Sequence, residues 1–346
     1  MKICIIGDVH WSTYSSIVNN RGTNFSVRLE NLIRSINWVE QISKEKGCEE
    51  EIFLGDFFDK PTLTDEEISA LSEIEWNNSA RIRHFIVGNH ESGIASLKYS
   101  STKSLQFRNN VVEDTPCIYP LDDKTEVLFL PYIVEDNRKP LKEYLVQRNC
   151  NKKLFVASHN DIKGIQMGKF LSTTGFDMDD IEANCDLFIN GHLHNGCWET
   201  DKVLNLGNLT GQNFNENALF FEHHIAILDT DTFEVEIIEN PYAMNFYKIE
   251  VNKESHLKQF NKLKNQSVLN IRCLDTLEEQ VRNILKDNPK VLKYKLVIYS
   301  EVTTSEGDIS QLNCVDHLEQ FKEFVLSRED IDDKKVFVEE LAEVCK

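Results

Sequence analysis

Five short segments carry side chains able to hold metal ions: Gly7-Asp8-Val9-His10, Gly55-Asp56-Phe57-Phe58-Asp59, Gly88-Asn89-His90-Glu91, Ser158-His159-Asn160 and Gly191-His192-Leu193-His194. Mixed Asp, His and Asn donors without thiolate suit Mn²⁺, Fe or Zn²⁺ better than an all-oxygen Mg²⁺ or Ca²⁺ cage. A carboxylate such as Asp56 can bridge two cations about 3.5–4 Å apart, the spacing of two-metal hydrolases. Such a pair polarises a phosphoryl group and acidifies water, which is the chemistry of phosphoester hydrolysis. On an extended segment, Asp8 and His10 would share one side of the chain, as would His192 and His194, because strand side chains repeat every second residue. The glycines ahead of the ligands would permit tight turns and close approach of a phosphate to the backbone.

Singly, each segment has an ordinary structural reading. Asp8 can be a turn residue and His10 a surface histidine. Gly-Asp-x-x-Asp is commonly a capped loop, and Asn89 can cap a strand-to-helix turn. His192 and His194 suit a half-buried strand, and His159 a core position. All five in this order, each behind an apolar run, is a far more specific pattern than any short motif alone.

The elements that must position these segments are legible as runs of apolar residues. Residues 2–7 are a short, β-branched strand pattern. Residues 26–47 have helical spacing, with Gly47 as the stop. Strands are expected at 51–54 and 83–87, with a helix at 64–76. This alternation argues for stacked βα units with chemistry at the strand ends. Further strands are expected at 127–130, 154–158, 187–190, 202–206, 224–229 and 234–239. So many short strands pack naturally as two face-to-face sheets with helices outside.

A boundary is expected near Asn240-Pro241. Beyond it, 247–251, 254–264, 268–273, 276–287 and 293–301 read as a βαβαβ unit without a catalytic constellation. A polar linker follows, and 311–346 reads as two helices with apolar residues on more than one side, a surface that needs a cover. The expected fold class is therefore α+β: a four-layer α/β/β/α sandwich over 1–240, a small α/β unit over 241–304, and a linker with a helical hairpin over 305–346.

The 346 residues exceed one ordinary core, and 41% hydrophobic with 27% charged residues is globular composition. No apolar run is long enough for a bilayer, and the first strand is too short for a signal peptide, so a cytoplasmic location is expected. Nine cysteines, none at C-x-x-C spacing, suggest reduced thiols rather than disulfides or a zinc site. The 38 basic and 57 acidic residues give a net charge of −19. That excludes attraction to nucleic acid by bulk charge, but not a nucleic-acid substrate at a cation-bearing site.

The order and identity of the five segments resemble the calcineurin-like metallophosphoesterase signature over residues 1 to about 240. The resemblance implies two divalent metals, Mn²⁺ first among them. Asp8, His10, Asp56 and His194 would hold one, and Asp56, Asn89, His159 and His192 the other. His90 would stand off the metals, steadying the scissile phosphate or protonating the leaving oxygen. Gly-Asp-Phe-Phe-Asp with Lys60-Pro61, the Gly-Asn-His-Glu turn and residues 204–210 look like the double-strand-break repair nuclease branch, which includes SbcD-type and phage recombination endonuclease subunits. By that resemblance, residues 241–304 would be a DNA-binding capping domain. Residues 311–346 would grip an SbcC-type, SMC-like ATPase, the substrate would be DNA, and the chain would form a homodimer. Asp59 stands where archaeal and eukaryotic members carry histidine, and it is similar to bacterial and phage members in this. It could orient His10 or a water, or cap a turn.

Other residues carry weaker signals. His223-His224 should send one imidazole inward and one outward, in a structural role. His84, His256 and His317 have no partner motif. Trp11 and Tyr14 could stack on a base, though packing suits them better, and Arg21 and Arg28 could face phosphate, though surface charge is their ordinary reading. Two rival functions remain at the level of sequence: a phosphoesterase acting on a phosphoprotein or small phosphodiester, and a scaffold subunit with an inactive site. The appended C-terminal units weigh against the first, and the filled ligand positions against the second.

Overall fold

The computed structural model describes residues 1–300 except 14, 16, 79, 80, 94–96, 98, 108, 168 and 169. Tyr14, His317 and the hairpin expected at 311–346 lie outside the described residues. In chain order the elements are β1 (Lys2–Ile6), α1 (Val27–Lys46), β2 (Glu50–Phe53), α2 (Asp65–Leu71), β3 (Ile82–Ile86), β4 (Asn110–Glu113), β5 (Cys117–Pro120), β6 (Thr125–Leu130) and β7 (Lys153–Ser158). They continue with β8 (Gln166–Met167), β9 (Phe170–Leu171), α3 (Met178–Asn184), β10 (Leu187–Asn190), β11 (Cys197–Trp198), β12 (Val203–Asn205), β13 (His224–Asp229), β14 (Val235–Glu239), β15 (Asn245–Val251), β16 (Ser267–Leu274), α4 (Glu278–Leu285) and β17 (Val291–Tyr299).

Two six-stranded sheets dominate, in the orders β14-β13-β1-β2-β3-β4 and β11-β12-β10-β7-β6-β5. Within the first, β1 to β4 run parallel, and β13 pairs antiparallel with β1. Within the second, β6, β7, β10 and β12 run parallel. Strand alternation then sorts the side chains. Ile3 and Ile5 of β1 join Ile52, Ile86, Phe129, Phe155 and Ile189 in the core between the sheets. Cys4 and Ile6 face the other way, with Phe53 and Phe85, against Leu29, Leu32, Ile36 and Val39 of α1. On the far side of the second sheet, Leu128, Val156 and Phe188 pack with Leu141, Phe176 and Ile181. The result is the α/β/β/α sandwich. Each of these fully buried Ile, Leu or Phe side chains contributes roughly 2 kcal/mol, and the shared core holds the strand ends rigidly.

Local signals set the helix ends. Ser26 accepts a hydrogen bond from the Leu29 amide at 3.2 Å, and Gly47 closes α1 with φ 70°. Helix α2 starts with a Thr64/Glu67 capping box. It ends at Leu71 instead of running to Trp76. Asn37 accepts from the Glu75 amide at 2.9 Å, and Trp76 turns into an aromatic cluster with Phe53, Phe57 and Phe85. Strands β4, β5, β11 and the β8–β9 hairpin were not expected; all are short and none lies in the middle of its sheet.

The third sheet is parallel, in the order β15-β16-β17. Its crossovers are a 3-10 helix at Glu254–Lys262, where an α-helix was expected, and α4. Tyr247, Ile249, Leu269, Ile271 and Cys273 bury one face against Phe260, Val281 and Leu285. Residues Met1–Tyr299 form one compact unit. Among the described residues no helix is long and apolar enough to cross a membrane, and every described cysteine is free.

Candidate metal centre

All five motifs follow the carboxyl ends of parallel strands: β1, β2 and β3 in the first sheet, β7 and β10 in the second. Ligand sites form at such ends because the connecting loops converge there. Hydrogen bonds lace the loops together. The His10 and Trp11 amides donate to the carbonyls of Asp56 and Phe57 at 2.8 and 2.7 Å, and the Leu209 amide donates to Asp8 at 2.8 Å.

The seven expected ligands come together. Nε2 of His10 lies 3.1 Å from Nε2 of His194, and both lie 3.7 Å from Oδ2 of Asp8. Nε2 of His159 lies 3.2 Å from Oδ2 of Asp56, 3.1 Å from Oδ1 of Asn89 and 3.3 Å from Nδ1 of His192. Oδ2 of Asp56 is also 3.9 Å from Nε2 of His10, so one carboxylate faces both groups. Three groups have ligand atoms that all lie within 4.8 Å of one another: Asp8, His10 and His194; Asp56, His159 and His192; and His10, Asp56 and His90, in which His90 is exposed.

Each imidazole is aimed by its other nitrogen. Nδ1 of His10 donates to Asp59 at 3.0 Å, Nδ1 of His159 to the Leu54 carbonyl at 2.9 Å, Nε2 of His192 to Asp161 at 3.1 Å, and Nδ1 of His194 to Glu216 at 2.8 Å. These acceptors fix which nitrogen turns inward, the usual device behind metal-bound histidines. The inward atoms are then lone pairs facing lone pairs, together with Oδ2 of Asp8, which is buried and has no hydrogen-bond partner among the described residues. Such a cage stabilises cations, and the donor chemistry fits two of them.

Without cations, protons take up part of that role. Burial alone would push the His10 imidazole down, but Asp59 and the Asp8 and Asp56 carboxylates hold it up at about 10. His159 is held at about 9 by Asp56 and Asp8 against the same cost of burial. Burial raises Asp56, yet the charge on His159 and its hydrogen bond leave its carboxyl well below the usual range.

Backbone geometry departs from the sequence expectation. His10, Asp56 and His192 have φ of 50°, 43° and 67°, in the left-handed region that non-glycine residues seldom adopt. Asp8/His10 and His192/His194 are thus gathered by tight turns, not by strand alternation. Such conformations cost roughly 1–3 kcal/mol each and persist only where packing enforces them. The glycines also serve differently from expectation. A Cβ at Gly55 would lie 2.3 Å from Nδ1 of His159, one at Gly88 2.1 Å from Oδ1 of Asp56, and one at Gly191 2.7 Å from Oδ1 of Asp8. They make room for a ligand side chain from another loop rather than for a phosphate.

His90 stands at the rim, 45% exposed. Its ring packs edge-on to His10 with centroids 4.9 Å apart, its amide donates to Asp56 at 2.9 Å, and Nδ1 lies 3.3 Å from the Asp59 carbonyl oxygen. Asp59 therefore touches both His10 and the His90 loop, more than a turn cap would. Trp11 is wholly buried, with its indole N–H on the Glu67 carbonyl. Arg21 is exposed and pairs with Glu66. Arg28 is buried and donates to the His10 carbonyl at 3.2 Å, so its reading as surface charge is corrected. His223 and His224 are both buried, against the expected alternation, because His223 lies before the strand begins. His84 is buried between Glu50 and Glu113, and His256 bonds the Glu250 carbonyl.

Two partners of the ligand histidines carried no usable signal, and Glu91, although inside a motif, showed no role of its own in the sequence. Asp161 and Glu216 are polar loop residues in sequence, and they lie 31 and 22 residues along the chain from the histidines they hold. Buried Glu91 accepts from the amides of Phe58 and Gly88 at 2.9 and 2.8 Å and ties two ligand loops together. Its carboxyl is pushed up to about 7 by burial and by Asp56.

Fold and centre together define a metal-dependent hydrolase. The model of the family described as calcineurin-like phosphoesterase matches residues 1–196, more than half of the chain, and the chain belongs to that family. Its members bind two divalent metals, in keeping with ligand groups gathered on Asp8 and on Asp56. Among solved structures, the chain is similar to a dimetal phosphatase from Danio rerio, at 12% identity over 69% of this chain and 96% of that one, with a TM-score of 0.42. It is also similar to a hypothetical protein from Thermus thermophilus, at 11% identity over 70% and 100% of the two chains, with a TM-score of 0.38. No curated protein matches the sequence.

Proposed function

We propose that this hydrolase is a DNA nuclease, cutting phosphodiester bonds at DNA ends as exo- and endonuclease alongside an SMC-like ATPase of the SbcC type. The observation that carries the reading is the face of the third sheet opposite its own core, which is covered at the Phe246–Val268 end and exposed beyond it. The paired rows Phe246–Val268–Lys293, Lys248–Asn270–Lys295 and Glu250–Arg272–Val297 put four basic side chains and a single carboxylate on that face. Lys248, Arg272 and Lys295 are exposed, and the Arg272 guanidinium lies over the Tyr299 ring at 5.4 Å. In a chain with a net charge of −19, a basic strip with amide and aromatic groups suits a phosphate backbone. Nζ of Lys248 reaches Asn215 at 3.4 Å and Nζ of Lys293 the Ile17 carbonyl at 2.7 Å, which joins this face to loops flanking the metal centre.

In this reading Asp8, His10, Asp56 and His194 hold one cation, and Asp56, Asn89, His159 and His192 the other. Bound there, the two cations supply polarisation of the phosphoryl oxygens and acidification of water. The chain's own part is orientation. Asp59, Asp161, Glu216 and the Leu54 carbonyl hold the imidazoles in register. His90, with Nδ1–H toward the Asp59 carbonyl, leaves Nε2 for the substrate, where the imidazolium form would carry a second N–H to hold a phosphoryl oxygen or pass its proton to the leaving sugar oxygen. Mn²⁺ is the cation proposed. The ATPase contact through 311–346 and the homodimer are proposals resting on the resemblance alone.

The test is Mn²⁺-dependent hydrolysis of linear duplex DNA beside an aryl phosphodiester, with and without the ATPase partner and ATP, for the full chain and a Lys248→Glu/Lys295→Glu variant. The expected result is degradation of DNA, weaker DNA binding with a shallower salt dependence in the variant, and unchanged hydrolysis of the aryl ester. Hydrolysis of the aryl ester with intact DNA would move the chain to a phosphoprotein or small-phosphodiester branch. No bound Mn²⁺ and no hydrolysis would leave a scaffold.

A further inference from the structure

Glu216 belongs to two parts of the molecule at once. Its carboxylate is almost fully buried, at 1% exposure. Oε1 accepts from Nδ1 of His194 at 2.8 Å and from Nδ2 of Asn213 at 3.1 Å. Oε2 accepts from Nδ2 of Asn208 at 3.0 Å and from the Gln212 amide at 2.7 Å. The carboxylate is thus saturated, and its position is set by the loop that carries it.

That loop is joined to the third sheet. Asn217 forms an isolated parallel bridge with Phe246 of β15, and the Ala218 amide donates to the Phe246 carbonyl at 2.7 Å. Oδ1 of Asn217 accepts from the Lys248 amide at 3.3 Å. Phe214 packs edge-on to Phe246 with centroids 5.4 Å apart, and the Gly211 amide donates to the Met244 carbonyl at 3.0 Å. From β15 to the imidazole of His194 the path is one residue bridged to the strand, its chain neighbour, and one hydrogen bond. His159, by contrast, is held by Leu54 at the end of β2, and His10 by Asp59 in the neighbouring loop.

We propose that Glu216 is a positioning residue through which the third sheet sets the orientation of His194, and so the affinity of the cation that His194 shares with Asp8 and His10. Load on that sheet, such as a polyanion on its basic face, is then felt at one cation position and not at the other. The inference rests on the two-cation reading of the centre and is independent of the substrate.

The experiment is calorimetric titration of the metal-free full chain with Mn²⁺, for wild type, Glu216→Gln, Asn217→Ala and the double variant. It is accompanied by the visible absorption of the Co²⁺-loaded proteins and by circular dichroism. The expected result is two Mn²⁺ per wild-type chain, with one of the two sites weakened about 10–100-fold in Glu216→Gln, the other unchanged, and a shifted Co²⁺ band. Asn217→Ala, which leaves every ligand and Glu216 in place, should weaken the same site by a smaller factor, and the double variant should fall short of the product of the two. Two wild-type-like sites in folded Glu216→Gln, or no effect of Asn217→Ala on either site, would overturn the proposal. If Glu216→Gln does not fold, Asn217→Ala alone decides. A wild-type chain that binds no Mn²⁺ would instead sink the two-cation reading itself.

Discussion

Oδ2 of Asp56 lies 3.2 Å from Nε2 of His159 and 3.9 Å from Nε2 of His10, on a residue whose φ is 43°. One strained turn thus serves both ligand sets, while Asp8 turns Oδ2 to the His10/His194 pair and keeps Oδ1 on the His192 amide, 3.6 Å from the outward Nδ1 of His159. Replacing the shared carboxylate should therefore cost more than replacing the other. Asp56→Asn is expected to lose both cations, and Asp8→Asn to lose one. Metal content by elemental analysis checks the stoichiometry. Equal losses in the two variants would deny Asp56 its bridging place.

His90 lies within ligand distance of His10 and Asp56 but stands at the exposed rim, where the proposed reading gives it a role on the substrate. His90→Gln should keep both cations and lower kcat on a phosphodiester by about 10²–10⁴-fold, the usual worth of a general acid. Mn²⁺ titration and steady-state kinetics on the same preparation separate the two effects. A variant that loses metal in proportion to activity would make His90 a ligand.

The glycines give a stability test without any substrate. Gly88→Ala pushes a methyl group to within 2.1 Å of the Asp56 carboxylate, in a site where the carboxylate has nowhere to retreat. A loss on the order of 2 kcal/mol is expected, together with weakened Mn²⁺ binding. Gly47→Ala, at φ 70° with open space around it, should cost about 1 kcal/mol and leave metal binding alone. Denaturant melts and titration read both.

His84 carries a pH signature away from the centre. Its ring is buried with Nδ1 2.8 Å from Glu113 and Nε2 3.2 Å from Glu50, the Cys117 thiol also bonds Glu113, and the Tyr119 hydroxyl reaches Glu50. Burial pushes the imidazole down, but the two carboxylates outweigh it and raise it above its ordinary value. A raised histidine adds stability that is full below the unfolded value near 6.5 and fades as pH climbs through the folded value. His84→Leu should lose on the order of 3 kcal/mol at pH 6, and the gap to wild type should narrow as pH rises beyond that. A gap that widens with pH would reverse the assignment.

Much of this protein is readable in one dimension. The strands β1, β2, β3, β7 and β10 are short apolar runs, and each ends at a motif whose donors name their chemistry. Strand pattern and donor type are local properties, so the five segments stood out by residue type and position, and the resemblance to the family picked Asp8, His10, Asp56, Asn89, His159, His192 and His194 from them. The basic rows of the third sheet were not readable, because Lys248, Arg272 and Lys295 become neighbours only through strand pairing. Nor was the 3-10 form of Glu254–Lys262, where helical spacing does not separate one helix type from the other.

The residues that aim the imidazoles divide the same way. Asp59 was within sight, inside a motif, but Asp161 and Glu216 were not, since nothing in their neighbourhood distinguishes a polar loop residue from a partner of histidine. The left-handed turns at His10, Asp56 and His192 were likewise hidden, because sequence pattern implies strand alternation there and only the crossing of loops from two sheets imposes strain. Composition and periodicity determine which elements form and which donors they carry. Orientation, shared carboxylates and buried partners depend on contacts between residues far apart in the chain, and those exist only once the sheets have packed.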